Sequence, residues 1–172
     1  AGDTITQEAL KAVQLCRELA PELKIRYVNV SELTSLSLGG HELFLFKGIR
    51  RTDKELDDTF TPDRPVVFSY HGYAHDLEHI LWPHTMHERF SLHGYNEKGS
   101  TTTPFDMALR NGVSAYQIAM DLIERGSKRN KAVAQKSAGI FKLFQQKVDA
   151  HREYICEFGD DPDSIKNLRL LQ

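Results

Sequence analysis

Hydrophobic positions recur at helical spacing along the chain and predict its main helices. The first is predicted to begin at a capping box at Thr4 and to end at Pro21. A short helix over residues 53–60 follows a second capping box at Thr52. The longest helix is predicted over residues 129–157, with an apolar stripe made of Val133, Ser137, Ile140, Phe141, Phe144, Val148 and Ile155.

Short runs of β-branched and aromatic residues predict strands between these helices. Residues 24–30 (KIRYVNV) and 65–70 (PVVFSY) are apolar on both faces, as expected of strands inside a sheet. A third short strand is predicted around residues 90–92, after a helix over residues 74–82 that ends at Pro83. Strands and helices alternate in the first half and helices dominate the second, which predicts an α/β fold with a mostly parallel sheet.

The loop GSTTTPFDM combines a helix start with a candidate anion site. Thr103 is placed to cap a helix whose first residue is Pro104 and whose third is Asp106. Thr hydroxyls and free backbone N–H groups at a helix N-terminus can also hold an anion such as phosphate. In the capping interpretation, Thr101 and Thr102 only complete a turn. The Asp106 carboxylate already occupies the favourable end of the helix dipole and would repel an anion, which favours capping.

Histidines are concentrated in one stretch, because six of the eight lie within residues 71–93. Inside it, HDLEH places His75, Glu78 and His79 in the inverted pattern of a zinc hydrolase, with the histidines on one helix face. A catalytic zinc site needs a third ligand, and nothing in the sequence fixes one. A five-residue pattern arises easily in a His-rich stretch, so packed or solvated histidines are the simpler interpretation.

Composition narrows the class of protein. The 172 residues are 40% hydrophobic and 27% charged, which suits one soluble domain. A net charge of −2 and a pI near 6.5 argue against nucleic-acid binding. We find no apolar run that could span a membrane and no signal pattern. Cys16 and Cys156 form no CxxC motif and are predicted to be buried thiols in a reducing cytoplasm. The start at Ala1, without Met, suggests a piece of a longer chain.

A set of longer motifs resembles the C-terminal domain of phosphoketolases over nearly all of the chain except residues 36–50. The motifs are HGY at 71–73, HGY at 93–95, the GSTTTPFDM loop and DLIER at 121–125. The resemblance implies a structural or interface role for the signature residues, which are His71, Gly72, Tyr73, Gly94, Tyr95, Thr101, Thr102, Thr103, Pro104, Phe105 and Asp106. The chain departs from the family at Ala74, where Pro is common, and at His93, where Arg is common.

The resemblance implies a single domain over residues 1–172, with a three-layer α/β/α fold and a mostly parallel mixed sheet, similar to the C-terminal domain of transketolases. Phosphoketolases cleave xylulose 5-phosphate or fructose 6-phosphate with phosphate, giving acetyl phosphate and a shorter aldose phosphate. They use thiamine diphosphate and a divalent metal such as magnesium. The resemblance implies a cytoplasmic homodimer whose upstream domains bind this cofactor.

On this interpretation the chain supplies no catalytic, cofactor-binding or metal-binding residue and binds neither membrane nor nucleic acid. The isolated chain is then expected to be inactive. The alternative is an independent zinc hydrolase that uses His75, Glu78 and His79.

Overall fold

A computed structural model describes residues 3–36, 53–96, 99 and 101–166. The helices and strands in these ranges are α1 (Asp3–Leu19), α2 (Asp53–Phe60), β1 (Val66–Ser69), α3 (Ala74–Leu81), β2 (Phe90–His93), α4 (Pro104–Arg110), α5 (Ala115–Ser127), α6 (Lys131–Phe158) and α7 (Asp163–Lys166). Two 3₁₀ turns lie at Leu33–Leu36 and His87–Arg89. The capping box predicted at Thr52 begins outside the described residues.

The two strands form a parallel pair that is connected through α3. Val66 lies opposite Phe90, and Ser69 lies opposite His93. Parallel strands cannot be joined by a tight turn, and the helix between them supplies the crossover. The predicted α/β class is therefore confirmed, with a two-stranded sheet in the described part of the chain.

Helices cover both faces of this strand pair. Val67 of β1 points to a core built by α1, α4, α5 and α6, which includes Ala12, Phe105, Ile118, Ile123, Phe144 and Val148. Its neighbours Val66 and Phe68 point to a second core, which includes Leu56, Phe60, Leu77, Leu81 and Phe90. Successive side chains of a strand face opposite sides, so one short strand contributes to both cores.

The longest helix, α6, follows its predicted stripe closely. Val133, Ile140, Phe144 and Val148 are buried, as predicted. The helix begins at 131 and not at 129, because the Asn130 side chain accepts hydrogen bonds from the N–H groups of the first turn. Gly159, with a φ of 70°, ends it in the left-handed conformation that glycine adopts without strain.

The strand predicted over residues 24–30 is wrong. Residues of this segment and of β1 line the same cavity, of about 720 Å³. A strand is stabilised by ladder hydrogen bonds to a neighbour, and these residues form none with β1. The Arg26 side chain instead donates to the Thr59 carbonyl of α2.

One of the two predicted buried thiols is exposed. Cys16 is completely buried, and burial raises the pKa of its thiol to about 12. Cys156 is exposed because it lies on the outer face of α6, away from the buried stripe. The Trp82 side chain is 69% exposed. None of the described helices is both long enough and apolar enough to cross a lipid bilayer.

Candidate functional site

The two HGY motifs meet where the parallel strands end. The Tyr70 N–H donates to the His93 carbonyl at 2.9 Å and extends the pairing beyond β1. The Tyr95 N–H then donates to the Gly72 carbonyl at 2.8 Å. Motifs 22 residues apart in the sequence are thereby fixed side by side at the carboxyl edge of the sheet. This edge is where α/β proteins most often bind ligands.

Glycine is required at the centre of the second motif. A Cβ atom at Gly94 would lie 2.4 Å from the Ala74 nitrogen and 2.8 Å from the Gly72 carbonyl oxygen. Both contacts are with backbone, which cannot rotate aside as a side chain can. The close approach of the two motifs therefore depends on the missing side chain.

Aromatic and imidazole rings surround this contact. The His71 ring meets the Tyr95 ring edge-on, with centroids 4.9 Å apart. Tyr73 stacks on His75 at 5.3 Å and is 54% exposed. The edge therefore presents flat, partly apolar groups to its surroundings, which suits contact with another protein surface.

His93 links β2 to two other elements. Its Nδ1 lies 2.8 Å from the Gly112 carbonyl oxygen, in the turn between α4 and α5. Its Nε2 lies 2.9 Å from Oδ2 of Asp121 on α5. The other oxygen of Asp121 accepts from Nε of Arg125 at 2.7 Å. Asp121 belongs to the DLIER motif, but its contact with the second HGY motif could not be read from the sequence.

Asp121 is held as an anion. Burial raises its pKa, but hydrogen bonds from His93, Ser91 and Arg125 lower it by more, and the result is about 2. A general base for chemistry near neutral pH needs a pKa close to the working pH. Asp121 is therefore a structural anion and a poor proton acceptor.

The N-terminus of α4 has its backbone donors occupied by protein oxygens. The first residue, Pro104, has no N–H, and the next donors all have acceptors: Phe105 with Asp161 Oδ2 (3.0 Å), Asp106 with Thr103 Oγ1 (3.3 Å) and Met107 with the Thr103 carbonyl (2.9 Å). The predicted capping role of Thr103 is confirmed. With these donors occupied, the first turn offers phosphate no free backbone N–H.

Thr102 of the Thr-rich loop contacts a buried carboxylate, that of Asp106. Thr102 Oγ1 donates to Asp106 Oδ2 at 2.6 Å, and Arg110 Nε donates to the same oxygen at 2.6 Å. Burial raises the pKa of Asp106, whereas these hydrogen bonds lower it by more, so the pKa lies below the ordinary value. Thr102 therefore does more than complete a turn, since its hydroxyl holds the Asp106 side chain in the first turn of α4.

Two further buried residues, His151 and Asp161, lie against the start of α4. His151 Nε2 lies 2.7 Å from Asp161 Oδ1, and the His151 ring meets the Phe105 ring edge-on at 4.9 Å. Both polar side chains are at most 5% exposed. Neither was predicted, because a cap supplied from a distant part of the chain leaves no local pattern.

The HDLEH histidines do not form a metal centre. His75 is mostly exposed, and its Nε2 lies 3.2 Å from the Asp76 carboxylate. Glu78 and His79 are exposed on α3. Over the described residues, no group of three or more His, Cys, Asp or Glu side chains is placed to hold a metal ion. The zinc hydrolase alternative is therefore unsupported.

Another histidine of the same stretch has a packing role. His84 is only 1% exposed, and its ring nitrogens lie 3.1 Å from Asp53 Oδ1 and 2.8 Å from the Leu36 carbonyl oxygen. It therefore ties the chain after α3 to the start of α2 and to the first 3₁₀ turn.

The family model for the XFP C-terminal domain matches residues 1–170. This chain belongs to the phosphoketolase C-terminal domain family. "Probable phosphoketolase 2" from Rhizobium meliloti is 39% identical over 171 residues, which cover 99% of this chain and 21% of the relative. "Probable phosphoketolase" from Chlorobaculum tepidum is 36% identical over 169 residues, which cover 98% of this chain and 20% of the relative. A protein of the same name from Mesorhizobium japonicum is 39% identical over 166 residues, covering 96% and 19%.

This phosphoketolase C-terminal domain thus spans about a fifth of the length of the curated relatives it matches. The match includes the residues that build the carboxyl edge of the sheet and the start of α4.

Proposed function

We propose that this chain works as the C-terminal domain of a thiamine diphosphate-dependent phosphoketolase and supports that enzyme without supplying catalytic residues. The observation that carries the proposal is the match of residues 1–170 to the family. The parent enzyme cleaves xylulose 5-phosphate or fructose 6-phosphate with phosphate to acetyl phosphate and an aldose phosphate. Upstream domains of the same polypeptide hold thiamine diphosphate and magnesium.

A supporting role agrees with how the polar groups of the site are used. The described carboxyl groups with a displaced pKa all have it displaced downward, away from neutrality: Glu22, Asp53, Asp63, Asp106, Asp121 and Asp160. Catalytic acids and bases usually have a pKa moved toward the working pH. These side chains are instead consumed in ion pairs and hydrogen bonds within the fold.

The exposed aromatic residues support contacts with the rest of the enzyme. Tyr73, Trp82 and Phe158 are each more than half exposed. Large aromatic side chains are enriched where protein surfaces meet. We propose that they face the other domains or the second subunit of a cytoplasmic homodimer. The two described strands would then belong to a larger, mostly parallel mixed sheet of the transketolase C-terminal type, in a three-layer domain over residues 1–172.

Acetyl phosphate release tests the non-catalytic role. The 172-residue chain is incubated with xylulose 5-phosphate, phosphate, thiamine diphosphate and magnesium, and acetyl phosphate is measured as its hydroxamate. We expect no product above a protein-free blank, while the Rhizobium meliloti relative serves as the positive control. Product formed by the chain alone at an enzymatic rate would show that it carries the reaction itself.

A further inference from the structure

His93 is placed so that both of its ring nitrogens face oxygens that carry no hydrogen. Nδ1 faces the Gly112 carbonyl at 2.8 Å, and Nε2 faces the Asp121 carboxylate at 2.9 Å. A neutral imidazole has one N–H and one lone pair, whereas an imidazolium has two N–H groups. With a neutral ring, one of these two short contacts would set a nitrogen lone pair against an oxygen lone pair.

Protonation of Asp121 does not remove the conflict. A protonated carboxyl could donate to the ring, but the pKa of Asp121 is about 2, so the group is ionised at neutral pH. The remaining way to make both contacts is a proton on each ring nitrogen. Hydrogen bonds from an imidazolium to a carboxylate are also among the stronger ones in proteins.

We propose that His93 is an imidazolium whose two N–H groups join β2 to α5 and to the α4–α5 turn, an arrangement called the clasp below. Loss of one of these protons then breaks the hydrogen bond to the Gly112 carbonyl. The inference goes beyond the proposed function, because it assigns a pH-sensitive contact within the domain and does not depend on the reaction of the parent enzyme.

The groups around His93 decide which contact is given up. On α5, Asp121 is shared between His93 and Arg125, whose Nε lies 2.7 Å from it. On β2, the Ser91 hydroxyl also bonds to Asp121. Arg125 also donates to the carbonyl of Arg89, in the 3₁₀ turn before β2, at 3.5 Å. The hydrogen bond from Arg125 helps to keep Asp121 ionised. A neutral His93 therefore retains its N–H on the carboxylate, the stronger acceptor, and loses the Gly112 carbonyl.

The released turn connects the helix of the Thr-rich loop to α5. Gly112 has a φ of 72°, and the next residue, Val113, donates its N–H to the Ala108 carbonyl at 3.0 Å. The hydrogen bond to the Gly112 carbonyl needs the second ring proton, so it is present only while both ring nitrogens carry a proton. At alkaline pH the turn and the second HGY motif are thus less firmly joined.

Nuclear magnetic resonance of the 172-residue chain tests the clasp. Histidine ring nitrogens are labelled with ¹⁵N and the Gly112 carbonyl with ¹³C, and both are followed over about pH 5 to 9, where histidine charge changes are observed. We expect both ring nitrogens of His93 to be protonated at the acidic end of this range. At the alkaline end, only Nε2 should carry a proton. The Gly112 carbonyl shift should change with the same midpoint. A single neutral tautomer throughout, or a Gly112 signal that does not follow the ring, would overturn the proposal.

A pair of variants separates the clasp from general effects of pH. Gln at position 93 can donate to only one of the two acceptors, so His93→Gln should abolish the pH dependence of the Gly112 signal. His75→Gln, which changes a mostly exposed histidine, should leave that dependence intact. If His93→Gln does not fold, the ring-nitrogen titration of the unaltered chain still decides between the two outcomes.

Discussion

Asp161 caps a helix that begins far away in the sequence: its Oδ2 accepts from the Phe105 N–H at 3.0 Å, across a separation of 56 residues. Its other oxygen lies 2.7 Å from Nε2 of His151. The connection between α6 and α7, which contains Asp161, is thereby joined to the start of α4. One buried carboxylate thus joins the C-terminal helices to the Thr-rich family loop.

Asp161→Asn should lower the free energy of unfolding by about 1 to 3 kcal/mol, the cost of a buried polar group left without a partner. The amide oxygen can still accept from Phe105, but the amide NH₂ then faces His151. That ring would have to move its proton to Nδ1, which has no hydrogen-bond partner among the described residues. Urea unfolding measures the change.

Asp160→Asn is the matched control for this substitution. Asp160 is exposed and pairs with Lys166 at the surface, so the same chemical change one position earlier should leave the free energy of unfolding nearly unchanged. Equal losses in the two variants would mean that the buried cap is not the cause.

Thr103→Ala should lower the free energy of unfolding by about 1 kcal/mol, because the Asp106 N–H loses its acceptor. Thr103→Ser keeps the hydroxyl and should be nearly silent. Since the first turn has no free N–H for an anion, the loss should be the same with and without added phosphate. Thermal melts of the three proteins in both buffers check this. A loss that appears only when phosphate is present would show that the loop binds an anion.

Gly94→Ala should destabilise the domain by about 3 kcal/mol or more, since overpacking against rigid backbone is costly. The added Cβ would lie 2.4 Å from the Ala74 nitrogen. Gly139→Ala is the control, because a Cβ there meets nothing within 4 Å in the middle of α6. It should stabilise the chain by about 0.5 to 1 kcal/mol, the helix preference of Ala over Gly. Urea unfolding should separate the two; a tolerated Gly94→Ala would contradict the close packing of the HGY motifs.

Asp121 should contribute to acid unfolding. Its pKa is about 2 in the folded chain and 3.8 ordinarily. A lowered folded pKa gives stability that is fully present above the ordinary value and is lost as the pH falls from about 4 to about 2. This difference is worth about 2 kcal/mol at neutral pH. The free energy of unfolding, measured from pH 5 to pH 2, should fall less steeply in Asp121→Asn, and parallel curves for the two proteins would contradict the assignment.

Local signals in the sequence predicted most of the helices and the cap at the start of α4. Thr103, Pro104 and Asp106 define a helix start within four residues, so the cap could be predicted. The stripe of α6 has a regular period, and its buried face follows from it. Both are properties of neighbouring residues and require no knowledge of the tertiary fold.

Contacts between distant residues could not be predicted. Asp161 with Phe105, and His93 with Asp121, are brought together by packing and leave no periodic signal. The prediction of a strand over residues 24–30 was wrong for a related reason. Its composition favours a strand, but a strand also needs a hydrogen-bonded partner, and no backbone hydrogen bond joins this segment to β1.

Acetyl phosphate formation by a chimeric enzyme shows whether this chain works as a phosphoketolase C-terminal domain. The C-terminal region of the Rhizobium meliloti relative that aligns with this chain, 39% identical to it, is deleted or replaced by this chain. We expect the deleted enzyme to be inactive with xylulose 5-phosphate and the replaced enzyme to recover a rate within about tenfold of the unaltered relative, a barrier difference of about 1.4 kcal/mol. A deleted enzyme that keeps full activity, or a soluble, folded chimera that forms no acetyl phosphate, would contradict the assignment of this chain as a working phosphoketolase C-terminal domain.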